Sequence, residues 1–177
     1  MVSFEEVSRF KVDKSVQLTL QDGVCKVSGK LGAVTKTFRN NYVKVEMDGD
    51  SVILSVSRKN KSTRAIAGTW ESLIKGMMNG VTKGYQYEMK IDYTHFPMRV
   101  SVKGNEVIVE NFLGERSPRK AKILGSCSVS IKGDRIFISG VDREEIGNTA
   151  SNIERATRIR GFDLRVFQDG IYLLGGN

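Results

Sequence analysis

The side chains that could do chemistry in this chain are few, and most of them are cations. His95 is the only histidine, so a Ser-His-Asp or Cys-His constellation would rest on it alone. It sits in Tyr93-Thr94-His95-Phe96-Pro97 with no Ser or Cys nucleophile indicated nearby, and reads as a linker or packing residue. Cys25 and Cys127 lie far apart, and neither belongs to a Cys-x-x-Cys pair. They read as small buried hydrophobes of a reducing compartment, not as a disulfide or zinc ligands. The 18 glycines form neither a dinucleotide-binding nor a P-loop pattern; they punctuate turns and helix ends. Carboxylates such as Glu144-Glu145 and Asp48 with Asp50 fall at caps and turns, and nothing favours an acid–base pair among them. No cofactor, metal or small-molecule substrate is expected.

The cations fall in three groups. Arg58, Lys59, Lys61 and Arg64 precede and open a helical stretch. Arg116, Arg119, Lys120 and Lys122 form a run read as a basic loop, and Arg155, Arg158 and Arg160 are placed late on a second helix, off its apolar face. Phosphates suit such groups, and the planar arginine fork grips two oxygens at once. Late-helix arginines also complement the negative helix end, so they have an ordinary structural explanation; the 116–122 run lacks one. The chain carries net charge +8 with a pI near 9.6, which favours a polyanionic partner or else a merely solubilising surface. The first half (1–92) has the larger net charge, but 9 of the 13 arginines lie in the second. Arginine content is the better guide, because bidentate phosphate contact depends on local geometry. Aromatics are not interleaved with these cations, so structured RNA read by backbone and shape is expected rather than stacked single strands.

The elements that must position these groups occur twice. Alternation at Val16, Leu18 and Leu20, a turn at Asp22-Gly23, and Val24 to Val27 read as a β-hairpin; so do Met98, Val100 and Val102 through Gly104 to Val107–Val109. A second hairpin follows in each copy, turning at Gly49-Asp50 and at Gly133-Asp134. The period then changes to helical. Ile66, Trp70, Leu73, Ile74 and Met77 line one helix, with Ser62 or Thr63 expected as N-cap and Gly80 beyond its end. Ile146, Ala150, Ile153 and Thr157 line the other, opened by a capping-box-like Asp142/Glu145 and ended by Gly161. A strand closes each copy: Tyr85 to Tyr93 in the first, Leu164–Phe167 turning into Ile171–Leu174 in the second. The fold class predicted is α+β, a tandem duplication of a small domain of mostly antiparallel strands packed on one helix, with domains 1–93 and 94–177. The start has no secretory pattern and no apolar run approaches a membrane span, so a cytoplasmic protein without membrane partners is expected.

Several motifs carry a family resemblance. Tyr93-Thr94-His95-Phe96-Pro97-Met98, Asn111-Phe112-Leu113-Gly114-Glu115-Arg116, Gly80-Val81-Thr82-Lys83-Gly84-Tyr85 and Arg165-Val166-Phe167-Gln168-Asp169-Gly170-Ile171-Tyr172 resemble the large-subunit ribosomal protein six family, in wording closest to its archaeal branch. The likeness runs from about Phe4 to Leu174. It implies a non-enzymatic structural constituent of the large ribosomal subunit with two α+β domains, in the cytoplasmic ribosome. Its implied partners are large-subunit rRNA, near the sarcin–ricin loop and the translation-factor site, and neighbouring ribosomal proteins. It further implies that the second domain carries most of the RNA binding, which by position favours Arg116, Arg119, Lys120 and Lys122; Arg116 stands where the family often has Lys. Bacterial members end in a basic tail, whereas this sequence stops at Gly175-Gly176-Asn177, so RNA contacts made by such a tail are expected to be absent or made by something else. Without the resemblance, an RNA-processing enzyme or a protein adaptor using an open sheet edge would remain as alternatives.

Overall fold

A computed structural model describes residues 4–176. The chain divides into two units between Gly84 and Tyr85. The first runs β1 (Glu5–Lys11), β2 (Gln17–Gln21), β3 (Val24–Gly29), β4 (Gly32–Thr37), β5 (Val43–Asp48), β6 (Ser51–Val56) and α1 (Lys61–Lys83). The second runs β7 (Tyr85–Asp92), β8 (Arg99–Lys103), β9 (Glu106–Glu110), a 3-10 turn at Phe112–Gly114, β10 (Arg119–Lys122), β11 (Ser128–Lys132), β12 (Arg135–Gly140), α2 (Arg143–Ala156) and β13 (Gly170–Gly176). All pairings are antiparallel. In the first unit the sheets order as β2-β3-β4 and β1-β6-β5; in the second, as β10-β9-β8 and β11-β12-β7-β13. No described helix is long and apolar enough to cross a membrane.

The four hairpins form at the positions the alternation marks, with Leu20 opposite Cys25, Val102 opposite Val107, Met47 opposite Val52, and Ile131 opposite Ile136. The repeat, however, is phased differently from its sequence reading. Tyr85–Asp92, assigned to the end of the first domain, pairs with β12 and β13 in the second unit. It plays there the part β1 plays beside β6. Each copy therefore opens on a strand and closes on its helix, and β13 is an addition on the far edge of β7. Alternation states that a strand exists but not which neighbour it hydrogen-bonds, and the choice between two adjacent copies is made by packing. β1, β4 and β10 went unread because their apolar residues are interrupted by charges and glycine.

Both helices depart from their expected ends. Asn60, not Ser62 or Thr63, is the N-cap of α1: its side chain accepts from Thr63 N at 2.8 Å while Thr63 Oγ1 accepts from Asn60 N at 3.2 Å. Gly80 is buried inside the helix, and Gly84, at φ 74°, ends it. Val81 O, near that end, accepts from Leu31 N at 3.1 Å. The buried stripe is Thr63, Ala67, Ile74, Met77, Met78 and Val81, rotated so that Leu73 faces out. α2 is capped by Asp142, which accepts from Glu144 N at 2.9 Å; Glu145 turns away and accepts from Ser126 N. The helix stops at Thr157, four residues before Gly161. Thr157 is buried and its Oγ1 accepts from Ile171 N at 3.0 Å, so a tertiary bond to β13 ends the helix. Leu164–Phe167, expected as a strand, is a turn in which Asp163 O accepts from Val166 N and Phe167 N.

In the second unit one apolar cluster joins both sheets to α2 through Met89, Val107, Val109, Ile136, Ile138, Ile146, Ile153 and Ile171, all fully buried. Burying each of these side chains stabilises by about 1.5–3 kcal/mol before chain entropy is set against it.

Candidate nucleic-acid interface

The segment Asn111–Gly114 is a tight corner. Asn111 and Leu113 have φ of 59° and 49°, and Gly114 has 75°. A branched leucine in the left-handed region is strained, and such strain persists only where its surroundings hold it. Here Asn111 Nδ2 donates to Pro97 O at 3.0 Å and Phe112 is fully buried. The corner projects Glu115 and Arg116 outward, both exposed.

Arg119, Lys120 and Lys122 lie on β10, so the 116–122 run is not a loop beyond Pro118. β10 is an edge strand, and alternation buries Ala121 while leaving Lys120 and Lys122 exposed. Arg119 shares the inward face and is engaged on every side. It donates to both Glu115 carboxylate oxygens at 2.8 and 2.6 Å, to Ala156 O at 2.9 Å and to Arg158 O at 3.1 Å. Its guanidinium lies 4.2 Å from the Phe112 ring centre. Those hydrogen bonds hold the Glu115 carboxyl below the usual carboxylate range. Arg119 therefore satisfies carbonyls at the negative end of α2.

This clasp brings together two cation groups separated in sequence. Asn152 Nδ2 donates to Lys122 O at 3.1 Å, so β10 lies along the last turns of α2. Arg155 is on that helix; Arg158 and Arg160, expected there too, follow its end in an irregular segment. Arg116, Lys122, Arg155, Arg158 and Arg160 are exposed, and among the described residues their side chains have no acidic partner; Lys120 has Glu106 at 3.5 Å. Aromatics do stand among these cations, contrary to the sequence reading: Phe162, Phe167 and Tyr172 follow Arg155–Arg160 along the chain and line the same end of the unit, with Arg165 between them. The signal was present in Arg160-Gly-Phe162-Asp-Leu-Arg165-Val-Phe167, hidden by its reading as a strand.

In the first unit Lys61 and Arg64 are exposed on the first turn of α1, which carries no acidic residue. Lys59 Nζ pairs with Glu5 at 2.7 Å and the Arg58 guanidinium lies 5.9 Å from the Tyr42 ring centre. Among the described residues this group has no counterpart to the Arg119 clasp. His95 stacks on Phe167 at 4.9 Å between ring centres, and its Nδ1 lies 3.9 Å from Asp169 Oδ1, which accepts from Thr94 N.

The sequence profile described as Ribosomal protein L6 matches residues 12–84 and 96–170, once for each repeat. The chain belongs to the ribosomal protein L6 family. The large ribosomal subunit protein uL6 of Picrophilus torridus is 56% identical over 99% of this chain and 98% of its own length. The uL6 of Thermoplasma acidophilum is 48% identical, covering 98% of each. That of Haloarcula marismortui is 45% identical over 83% of each. The archaeal-type resemblance is thereby borne out, as is the duplicated α+β fold. The ribosomal protein L6 family is structural and not enzymatic, and His95, exposed, lies beside Phe167 and Asp169.

Proposed function

We propose that this chain is a structural constituent of the large subunit of the cytoplasmic ribosome that binds large-subunit rRNA through its second unit. In this reading Arg116, Lys120, Lys122, Arg155, Arg158 and Arg160 hold phosphates, and Arg119 fixes the two segments that carry them. The first-unit group Arg58, Lys59, Lys61 and Arg64 is secondary. The site sits near the sarcin–ricin loop and translation-factor site, as the family resemblance implies, with other large-subunit proteins as neighbours. The observation that carries the reading is the Arg119 clasp. It joins a basic edge strand to a basic helix end and leaves five cations without intramolecular acidic partners among the described residues.

The test compares R116Q/K122Q/R158Q/R160Q with R58Q/K59Q/K61Q/R64Q in the full chain, binding a large-subunit rRNA transcript at several salt concentrations. Each phosphate contact contributes roughly 0.7–0.9 to the slope of log affinity against log salt, so losing four flattens that slope by about three. Circular dichroism must first show both variants folded. Equal losses in the two variants would show general charge, not a placed surface, to govern binding.

A further inference from the structure

The segment after α2 encloses a groove of about 600 Å³ against the helix end and β13. That lies within the range of about 300–1,000 Å³ common to small-molecule sites. Arg155 and Arg158 line it together with Leu164, Phe167 and Tyr172. Ile171, fully buried, contributes to its lining. Both rings are held in place: Phe167 packs on His95 and on Phe162, each 4.9 Å between centres, and Tyr172 Oη donates to Gln168 O at 2.9 Å. Yet the surrounding apolar side chains are unusually open, Phe162 at 51%, Leu164 at 63% and Val166 at 57% exposure. Contiguous exposed apolar surface of this kind marks a contact site.

The charge around it selects the occupant. Arg155 and Arg158 line the groove with Glu154, and Arg160 and Arg165 are close to it in sequence. An apolar protein side chain would use the walls and leave the arginines idle. A flat heterocycle carrying a phosphate uses both. We infer that this groove receives one unpaired RNA nucleotide, its base against Phe167 and Tyr172 and its phosphate on Arg155 and Arg158. Glu154 and Gln168 border the same space. A carboxylate accepts two adjacent hydrogen bonds from guanine N1–H and its amino group, whereas uracil offers only the single N3–H. The groove therefore prefers guanine over uracil. This inference rests on the rRNA reading above and deepens it: phosphate contacts alone position RNA, and a base in a pocket selects which residue of it is held.

The test uses the same rRNA transcript and the full chain with three single variants, F167L, Y172L and S151L. Ser151 is an exposed α2 residue on the groove's rim, and leucine there fills the space without removing a wall. Losing one stacked base costs roughly 5- to 100-fold in affinity. Each variant is expected to lose at least about fivefold, with the salt slope unchanged, since no phosphate contact is removed. Titration with GMP and UMP, followed by amide NMR, is expected to shift Arg155, Thr157 and Gln168 more with GMP. If the four-cation variant above loses affinity and slope while all three groove variants bind as the parent does, the groove inference is overturned and the RNA reading stands. If the parent itself fails to bind the transcript even at low salt, the RNA reading fails. If the groove variants keep RNA affinity but lose a protein neighbour on purified large subunits, the occupant is protein and the inference is wrong.

Discussion

In the RNA surface proposed above, Arg119 holds the two basic segments together and does not itself touch RNA. Replacing it by alanine removes two charged-donor bonds to the Ala156 and Arg158 carbonyls, the bidentate pair with Glu115 and the Phe112 contact. Bonds from charged donors are worth about 1.5–3 kcal/mol each. The Glu115 pair, its side chains 26% and 41% exposed, contributes no more than about 1 kcal/mol, and the ring contact about 0.5–1 kcal/mol. These terms share one side chain and do not add, and water replaces part of what the carbonyls lose, so Arg119→Ala should cost about 3 kcal/mol. Arg119→Lys keeps the charge but not the fork, and about half that loss is expected. Urea denaturation followed by circular dichroism and by amide exchange at Ile153–Thr157 measures it. Fluorescence of Trp70, in the first unit, should be unmoved. An Arg119→Ala protein within about 0.5 kcal/mol of the parent, yet weakened in RNA binding, would refute the reasoning and make Arg119 a direct phosphate ligand.

Other outcomes follow from the same geometry. A fragment starting at Tyr85 should unfold cooperatively, whereas one starting at Thr94 should not, because β7 lies between β12 and β13; amide spectra of the two fragments decide it. Gly29→Ala would put a Cβ 2.7 Å from Val81 O and 2.8 Å from its side chain, costing about 1–3 kcal/mol by overpacking, read by Trp70 fluorescence on urea titration. Burial pushes the Cys25 thiol up to about 11, so at neutral pH iodoacetamide should modify the partly exposed Cys127 first and Cys25 only on unfolding, as peptide mass analysis will show. Glu115 is held below its ordinary range, so its contribution is full above that range and is lost as pH falls from it through the lowered folded-state value. Because the pair is largely solvated, Glu115→Gln should reduce the loss of stability on acidification by no more than about 0.5 kcal/mol, measured by urea titration at several pH values.

The duplication was legible because its signals are local. Alternation across a glycine turn and the change to a helical period need only neighbouring residues, and both recur in each copy. The family motifs were legible as words, though not as geometry: Asn111-Phe112-Leu113-Gly114 gave no hint of two left-handed residues and a buried ring. What depends on partners distant in sequence was decided by the tertiary structure. β7 reads as a strand in either copy, and only hydrogen bonding to β12 and β13 assigns it. Thr157 reads as one more helical residue until its hydroxyl accepts from Ile171 N and ends α2, releasing Arg158 and Arg160 from the helix. Arg119 is indistinguishable from Arg116 as a letter; an inward position on an edge strand, beside carbonyls of residues 156 and 158, makes it a clasp. Charge and its amount are properties of composition, but which cations are spent inside the fold and which remain at its surface is a property of packing.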